Sequence, residues 1–180
     1  EQIINDWSKT NNSFAGIFLR YFNPVGAHES GIIGENPKGI PNNLVPYISQ
    51  VAIGERKSLK IFGNDYNTPD GTGLRDYIHI KDLVSGHLAA LEFLKNLNGI
   101  EVFNLGNGKP VSVLEMVSSF EKVSGVPIPY TFSSRRNGDI ANSYADINKA
   151  RKILGWVAKE NIMKMCDDVW RWQKNLRKNA

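Results

Sequence analysis

Short apolar runs and amphipathic stretches alternate along this chain, and that alternation restricts its fold more than any single residue does. Phe14–Tyr21 (FAGIFLRY) is a mostly apolar run of strand length. Leu59–Phe62, Asp76–Ile80, Glu101–Leu105 and Ile128–Phe132 read as further strands. The helical stretches between them have recognisable ends. Glu1–Trp7 carries Ile3, Ile4 and Trp7 on one face and gives way to the polar cluster Thr10–Ser13. Asn42 or Asn43 is the expected cap of a helix to about Ile53, closed by Gly54. Asp82 is the expected cap of a long helix to about Leu97. Ser112 and Glu115 form a capping-box pattern that opens a helix to about Ser124. Asp146 caps a short helix ended by Gly155, and Asn161 starts a last one that runs through Trp170 and Trp172. Asn23–Pro41 and Gly63–Gly73 read as loops. Strand–helix alternation of this kind predicts an α/β fold. No repeat or linker interrupts it, so residues 1–180 are expected to form a single region. The opening helix has no N-cap residue before it, so the chain is expected to be part of a longer protein.

Composition narrows the function classes. With 41% apolar and 22% charged residues the chain is of ordinary globular character. A net charge of +4 leans toward an anionic ligand. Lys and Arg form no run or stripe, which argues against nucleic acid. Cys166 is the only cysteine, so neither an internal disulfide nor a cysteine zinc site is available. It is expected to be a small core residue in a reducing, cytoplasmic setting. His28, His79 and His87 lack ligand spacing, and no apolar stretch approaches the ~20 residues of a membrane span.

Two catalytic signals fail on inspection. Gly106-Asn107-Gly108-Lys109-Pro110 is the nearest approach to a pyrophosphate-binding glycine loop, but a third glycine is missing and a proline intrudes. It reads as a turn before the Ser112 cap. Tyr77-Ile78-His79-Ile80-Lys81 spells the Tyr-x-x-x-Lys pair of short-chain dehydrogenases. On a helix those side chains would stand about 6 Å apart. The alternating pattern here predicts a strand, which separates them by roughly 13 Å. The chain is expected to carry no catalytic residue of its own.

Several motifs in order resemble one family. Tyr21-Phe22-Asn23-Pro24-Val25-Gly26-Ala27-His28, Gly39-Ile40-Pro41-Asn42-Asn43-Leu44 and Ile61-Phe62-Gly63-Asn64-Asp65-Tyr66 come first. Gly71–His79 (GTGLRDYIH), Asn104-Leu105-Gly106 and Arg135-Arg136-Asn137-Gly138-Asp139 follow. Together they are similar to the C-terminal part of UDP-glucose/UDP-galactose 4-epimerases, members of the extended short-chain dehydrogenases. The resemblance covers the whole chain. It implies the substrate-binding portion of such an enzyme, with one strand and helices completing the Rossmann domain of an N-terminal half that would hold NAD and the catalytic Tyr and Lys. It also implies a UDP-sugar ligand, association with that half, and a homodimer when intact.

The resemblance further implies roles residue by residue. Tyr21, Phe22 and Pro24 are expected against NAD, and Asn23 on the substrate. Asn43 and Leu44 match a phosphate-contacting segment; a helix start there can serve as cap and anion site at once. Lys60, Ile61 and Phe62 match a strand that grips uracil, though Phe62 also suits a core position. Arg75 and Arg136 match diphosphate-binding arginines, and guanidinium forks suit phosphate oxygens. Asp139 matches a carboxylate on the ribose hydroxyls. Ser143 stands where some members carry Tyr, and a small residue there leaves room for an N-acetyl group, unless the neighbouring Tyr144 refills it. A nucleotide-sugar dehydratase or decarboxylase half, and a non-catalytic UDP-sugar-binding module, are the alternatives.

Overall fold

In the computed structural model, residues 1–11 and 13–178 are described; Asn12, part of the expected Thr10–Ser13 turn, lies outside them. Elements run α1 (Gln2–Ser8), β1 (Ala15–Tyr21), β2 (Asn23–Val25), α2 (Leu44–Ala52), β3 (Leu59–Phe62), β4 (Leu74–His79) and α3 (Ile80–Leu94). There follow β5 (Gly99–Leu105), β6 (Pro110–Ser112), α4 (Val113–Ser124), β7 (Tyr130–Ser133), β8 (Asn142–Ser143), a π-turn (Ala150–Leu154) and α5 (Ile162–Lys178). The α/β reading holds.

β1 and β5 pair in parallel, Ala15 opposite Gly99 through Tyr21 opposite Leu105. β4 is the hub of a second sheet, with β2 parallel on one side, β6 antiparallel on the other, and β8 pairing parallel at Leu74 and Arg75. β3 and β7 pair in parallel by themselves. Two cores result. One joins α2, α4 and α5 to β3 and β4 around Ile48, Ile61, Met116, Phe120 and Met165. The other lies between β5 and α3 around Phe103, Leu105, Leu83 and Trp156.

Local chemistry sets several ends as expected. The Ser112 hydroxyl accepts from the Glu115 amide at 2.9 Å, and Asn161 does the same for Lys164 at 3.0 Å. Gly54 and Gly155 stand at their helix ends with positive φ as expected, and Gly125, which the sequence reading did not single out, does the same for α4.

Other expectations need correction. Asp82 is not the cap of α3; His79 is, its ring nitrogen accepting from the Lys81 amide at 3.0 Å. The Asp82 carboxylate reaches across the fold to the amides of Lys159 and Glu160 at 3.0 and 2.8 Å. Asn43 is the N-cap of α2 by backbone alone, since its side chain donates to Glu35 at 3.4 Å. The loop expected from Asn23 begins with strand β2, and the Gly106 turn runs into strand β6. Both segments are too short to announce themselves, and pairing with β4 makes them strands. The short helix expected after Asp146 forms, with π-type hydrogen bonding over Ala150–Leu154; the Asp146 carboxylate accepts from the Asn148 amide at 2.9 Å and Gly155 ends it.

Candidate functional site

β4 organises the site because neighbouring residues on a strand face opposite ways. Arg75 points to one side. Its Nη1 donates to the carbonyl oxygens of Leu74 (2.8 Å) and Ile140 (2.9 Å), and its Nη2 to Asp139 at 3.2 Å. Register places Ser143 of β8 opposite Arg75. Thus Arg75, Asp139 and Ser143 share one surface. Three of the five guanidinium N–H groups are engaged. The Nε–H and the second Nη2–H have no protein partner among the described residues.

Asp76 points the other way and is fully buried. Its carboxylate accepts three backbone N–H groups, from Asn107 (2.8 Å), Gly108 (2.9 Å) and Ala145 (3.0 Å). The glycine turn that looked like a damaged phosphate loop therefore wraps a carboxylate of the chain itself. Gly106 is required by the closeness of that group: a Cβ there would stand 2.5 Å from Asp76 Oδ2.

Beside this cluster, Arg136 lies over the Phe62 ring at 4.0 Å, which leaves Phe62 half-buried rather than in the core. Arg135 turns away to Asp65 at 2.8 Å and to the ring of Tyr66. At the two ends of β3 the amides of Leu59 and Gly63 donate to the carbonyls of Pro129, just before β7, and Ser133 of β7, both at 2.8 Å. By alternation, the backbone groups of Lys60 and Phe62 face the other edge, which pairs with no strand among the described residues. The Ile61 side chain is buried in the first core, so that residue can meet a ligand only through its neighbours' backbone.

Asn23 and Pro24 join through β2, where they pair with Tyr77 and Ile78. The chain turns sharply after Val25. Gly26 has φ +100°, and a Cβ on it would stand 2.6 Å from His79 Nε2, so only glycine lets the chain pass the ring. Because His79 Nδ1 accepts from Lys81, its Nε2 carries the proton and donates to buried Asp168 at 3.1 Å. The following loop is tied to α5 by Arg171 on the Glu29 carbonyl (2.6 Å), Asn175 on Gly31 (3.0 Å) and Trp172 on Glu35 (3.0 Å). Sequence reading missed Asp76, Asp168 and these ties. The only local signal was an Asp beside an Arg on a strand.

Tyr21 and Phe22 lie at the C-terminal end of β1, where open parallel sheets meet ligands. Tyr21 donates its hydroxyl to His87 Nε2 at 2.7 Å, since His87 Nδ1–H is committed to the Leu83 carbonyl. Asn43 and Leu44 stand at the start of α2, and no hydrogen bond among the described residues links them to the arginine cluster. Tyr77 and Lys81 do not form an acid–base pair. Burial pushes the Tyr77 phenol up to about 12, and Lys81 pairs with Glu29 at 3.3 Å. Among the described residues no acidic, His or Cys cluster could hold a metal, and no helix is long and apolar enough to cross a membrane.

The surface is unevenly covered. On α3, Val84, Leu88 and Leu91 are 53%, 64% and 59% exposed. With the loop after β2, Val84 and Leu88 line an open groove of about 740 Å³.

Similarity to known proteins bears on both features. The chain is 56% identical to a UDP-glucose 4-epimerase of Bacillus subtilis over 175 residues, 97% of this chain and 52% of that protein. It is 55% identical to the Homo sapiens UDP-glucose 4-epimerase, covering 97% of this chain and 50% of that one. The chain therefore spans about half the length of the curated relatives it matches. A UDP-glucose 4-epimerase from Bifidobacterium longum, solved with NAD+ and UDP, superposes with a TM-score of 0.94 at 50% identity, over 99% of this chain and 53% of that one. The enzyme from Stenotrophomonas maltophila, solved with NAD and formylated UDP-arabinopyranose, gives a TM-score of 0.96 at 47% identity, with 99% and 53% coverage. Residues 1–106 match the family model directly, and with fold, motifs and relatives in agreement, the chain belongs to the NAD dependent epimerase/dehydratase family.

Proposed function

We propose that this chain is the UDP-sugar-binding half of a UDP-glucose/UDP-galactose 4-epimerase, folded as one region. The observation that carries this is the surface shared by Arg75, Asp139 and Ser143, joined through the Asp139 amide on the Arg136 carbonyl (3.2 Å) to the turn that carries the Arg136–Phe62 pair, in a chain 56% identical to such an enzyme. Arg75 and Arg136 supply positive charge for the diphosphate. Asp139, once released from Arg75, accepts from the ribose hydroxyls. The open edge of β3 offers the backbone of Lys60 and Phe62 to the uracil edge, with Phe62 against the ring. Asn23 holds the sugar, and Asn43 and Leu44 present α2 amides to phosphate.

NAD fits this chain in part. Tyr21, Phe22 and Pro24 form a suitable edge, but the one glycine turn that could hold a pyrophosphate is filled by Asp76. The nicotinamide, when bound, supplies hydride exchange at sugar C4. The residues here bind and orient the sugar nucleotide, and the proton-transferring Tyr and Lys belong to an N-terminal half. That half is the partner expected to cover Val84, Leu88 and Leu91. The relatives described are 4-epimerases, which favours this reading over a dehydratase, a decarboxylase or a binding module. A cytoplasmic, homodimeric enzyme without affinity for nucleic acid is the natural setting.

Ser143 is half-buried, while Tyr144, just past β8, is 53% exposed, which favours a small side chain at the site. The substrate range therefore extends to UDP-GlcNAc and UDP-GalNAc.

The test is a chimaera in which this chain replaces the matching half of the Bacillus subtilis relative. C4 epimerisation of UDP-galactose is expected from the chimaera and not from the chain alone. UDP binding by the chimaera without turnover would point to a binding module. Turnover by the chain alone would return Tyr77 and Lys81 to the mechanism. No turnover of UDP-GalNAc by an active chimaera would sink the N-acetyl extension.

A further inference from the structure

We infer that Asp76 is a positioning residue that holds Arg75 ready for a phosphate; the inference rests on the UDP-sugar reading above. The strip Asp139–Ala145 is gripped at both ends by two adjacent residues of β4. Arg75 holds its first end through Asp139 and the Ile140 carbonyl. Asp76 holds its last end through the Ala145 amide, and ties the same point to the turn at Asn107 and Gly108. Between the two grips, the Leu74 amide donates to Ala141 at 2.8 Å and β8 pairs with β4. The carbonyl that orients the guanidinium is thus fixed by a carboxylate on the buried face of the same strand. The result is a guanidinium turned and held by three contacts, with its Nε–H left without a protein partner among the described residues and available to an oxyanion. An amide at position 76 cannot reproduce the arrangement. Its NH2 would face backbone N–H groups, and at least one of three donors would lose its acceptor.

The experiment titrates UDP and uridine into the chimaera, unvaried and as Asp76→Asn, Arg75→Ala and the double variant. Asp76→Asn is expected to weaken UDP about ten- to a hundred-fold, the scale of a charge-assisted contact. Uridine, which has no phosphate, is expected to change by less than about three-fold, and in the Arg75→Ala background Asp76→Asn is expected to add less than about three-fold for UDP. General damage to the fold would weaken both ligands and add in full. In the unvaried protein the Arg75 Nε–H resonance is expected to be resolved before ligand and to move with UDP but not with uridine, a readout that holds even if Asp76→Asn does not fold. Equal loss of UDP and uridine, full additivity with Arg75→Ala, or an Nε–H resonance indifferent to UDP would each overturn the inference. Failure of the unvaried chimaera to bind UDP would remove the underlying reading as well, and is distinguished by needing no variant.

Discussion

Helices α3 and α4 are of similar length and both are rich in apolar residues, yet they end in opposite situations. α4 is enclosed by α2 and α5, and its Met116 and Phe120 are fully buried. α3 buries Leu83, Gly86 and Ala90 against β5 while Val84, Leu88 and Leu91 stand in solvent. A helix apolar nearly all round is built to be covered on both sides. The chain thus contains one complete core and one layer covered on a single face. The arginine cluster sits on the complete part, whereas Tyr21 and Phe22 sit at the rim of the other. The function proposed above requires this division of labour, with the sugar nucleotide on the complete part and the cofactor edge on the open one.

The strongest way to break this comparison is Phe120→Ala. It removes a fully buried ring packed edge-on to Trp170, and should cost about 3–5 kcal/mol in urea denaturation. Cys166 reports on the same core. Burial pushes its thiol up to about 12, so labelling by a thiol reagent should occur only through unfolding and should accelerate in Phe120→Ala. A small cost, or fast labelling of the native protein, would mean that the first core is not closed.

Asp168→Ala comes next. Asp168 bolts α5 to His79 at the base of α3, and also meets Lys164 at 2.7 Å. Its loss leaves the buried His79 N–H without an acceptor and should cost about 3 kcal/mol. If unfolding then occurs in two steps, the bolt is what joins the regions.

Leu88→Asp should change the stability of the chain itself by no more than about 0.5 kcal/mol, because the position is exposed. Joined to an N-terminal half, the same change should lower the yield of active enzyme. A large effect on the isolated chain would show that α3 is already covered.

The smallest effect is acidic. Burial works against ionisation of Asp70, but hydrogen bonds from Ser112 and Thr72 outweigh it and hold its carboxyl below the usual range. A depressed folded pKa contributes stability above the unfolded value and loses it as pH falls through the folded one. Denaturation midpoints should therefore fall slightly below about pH 4, the ordinary carboxyl range, and less so in Asp70→Asn.

What was legible in the sequence was local. The Ser112–Glu115 cap, the Asn161 cap, the glycine stops and the apolar run of β1 follow from chemistry within a few residues, and they stand as expected. What was missed depends on distant partners. β2, β6 and β8 are strands only because β4 lies beside them. Asp82 has the right spacing for a cap, but the unpaired amides at Lys159 and Glu160 claim it. For the candidate site, family motifs singled out the arginines and Asp139, and the structure pairs Arg75 with Asp139 at 3.2 Å. The neighbour that the Arg136 guanidinium chose, the Phe62 ring, was not legible. Nor was the purpose of Asp76, since its donors lie 31 to 69 residues away.

That buried carboxylate also bears on how glycine turns are interpreted. A turn with small residues and inward-pointing amides is a socket for negative charge, but the charge need not arrive with a nucleotide. Here the plug is grown from an adjacent strand. Removing the plug would strand three buried backbone donors at once, so the joint between the turn and β4 stands or falls on a single side chain.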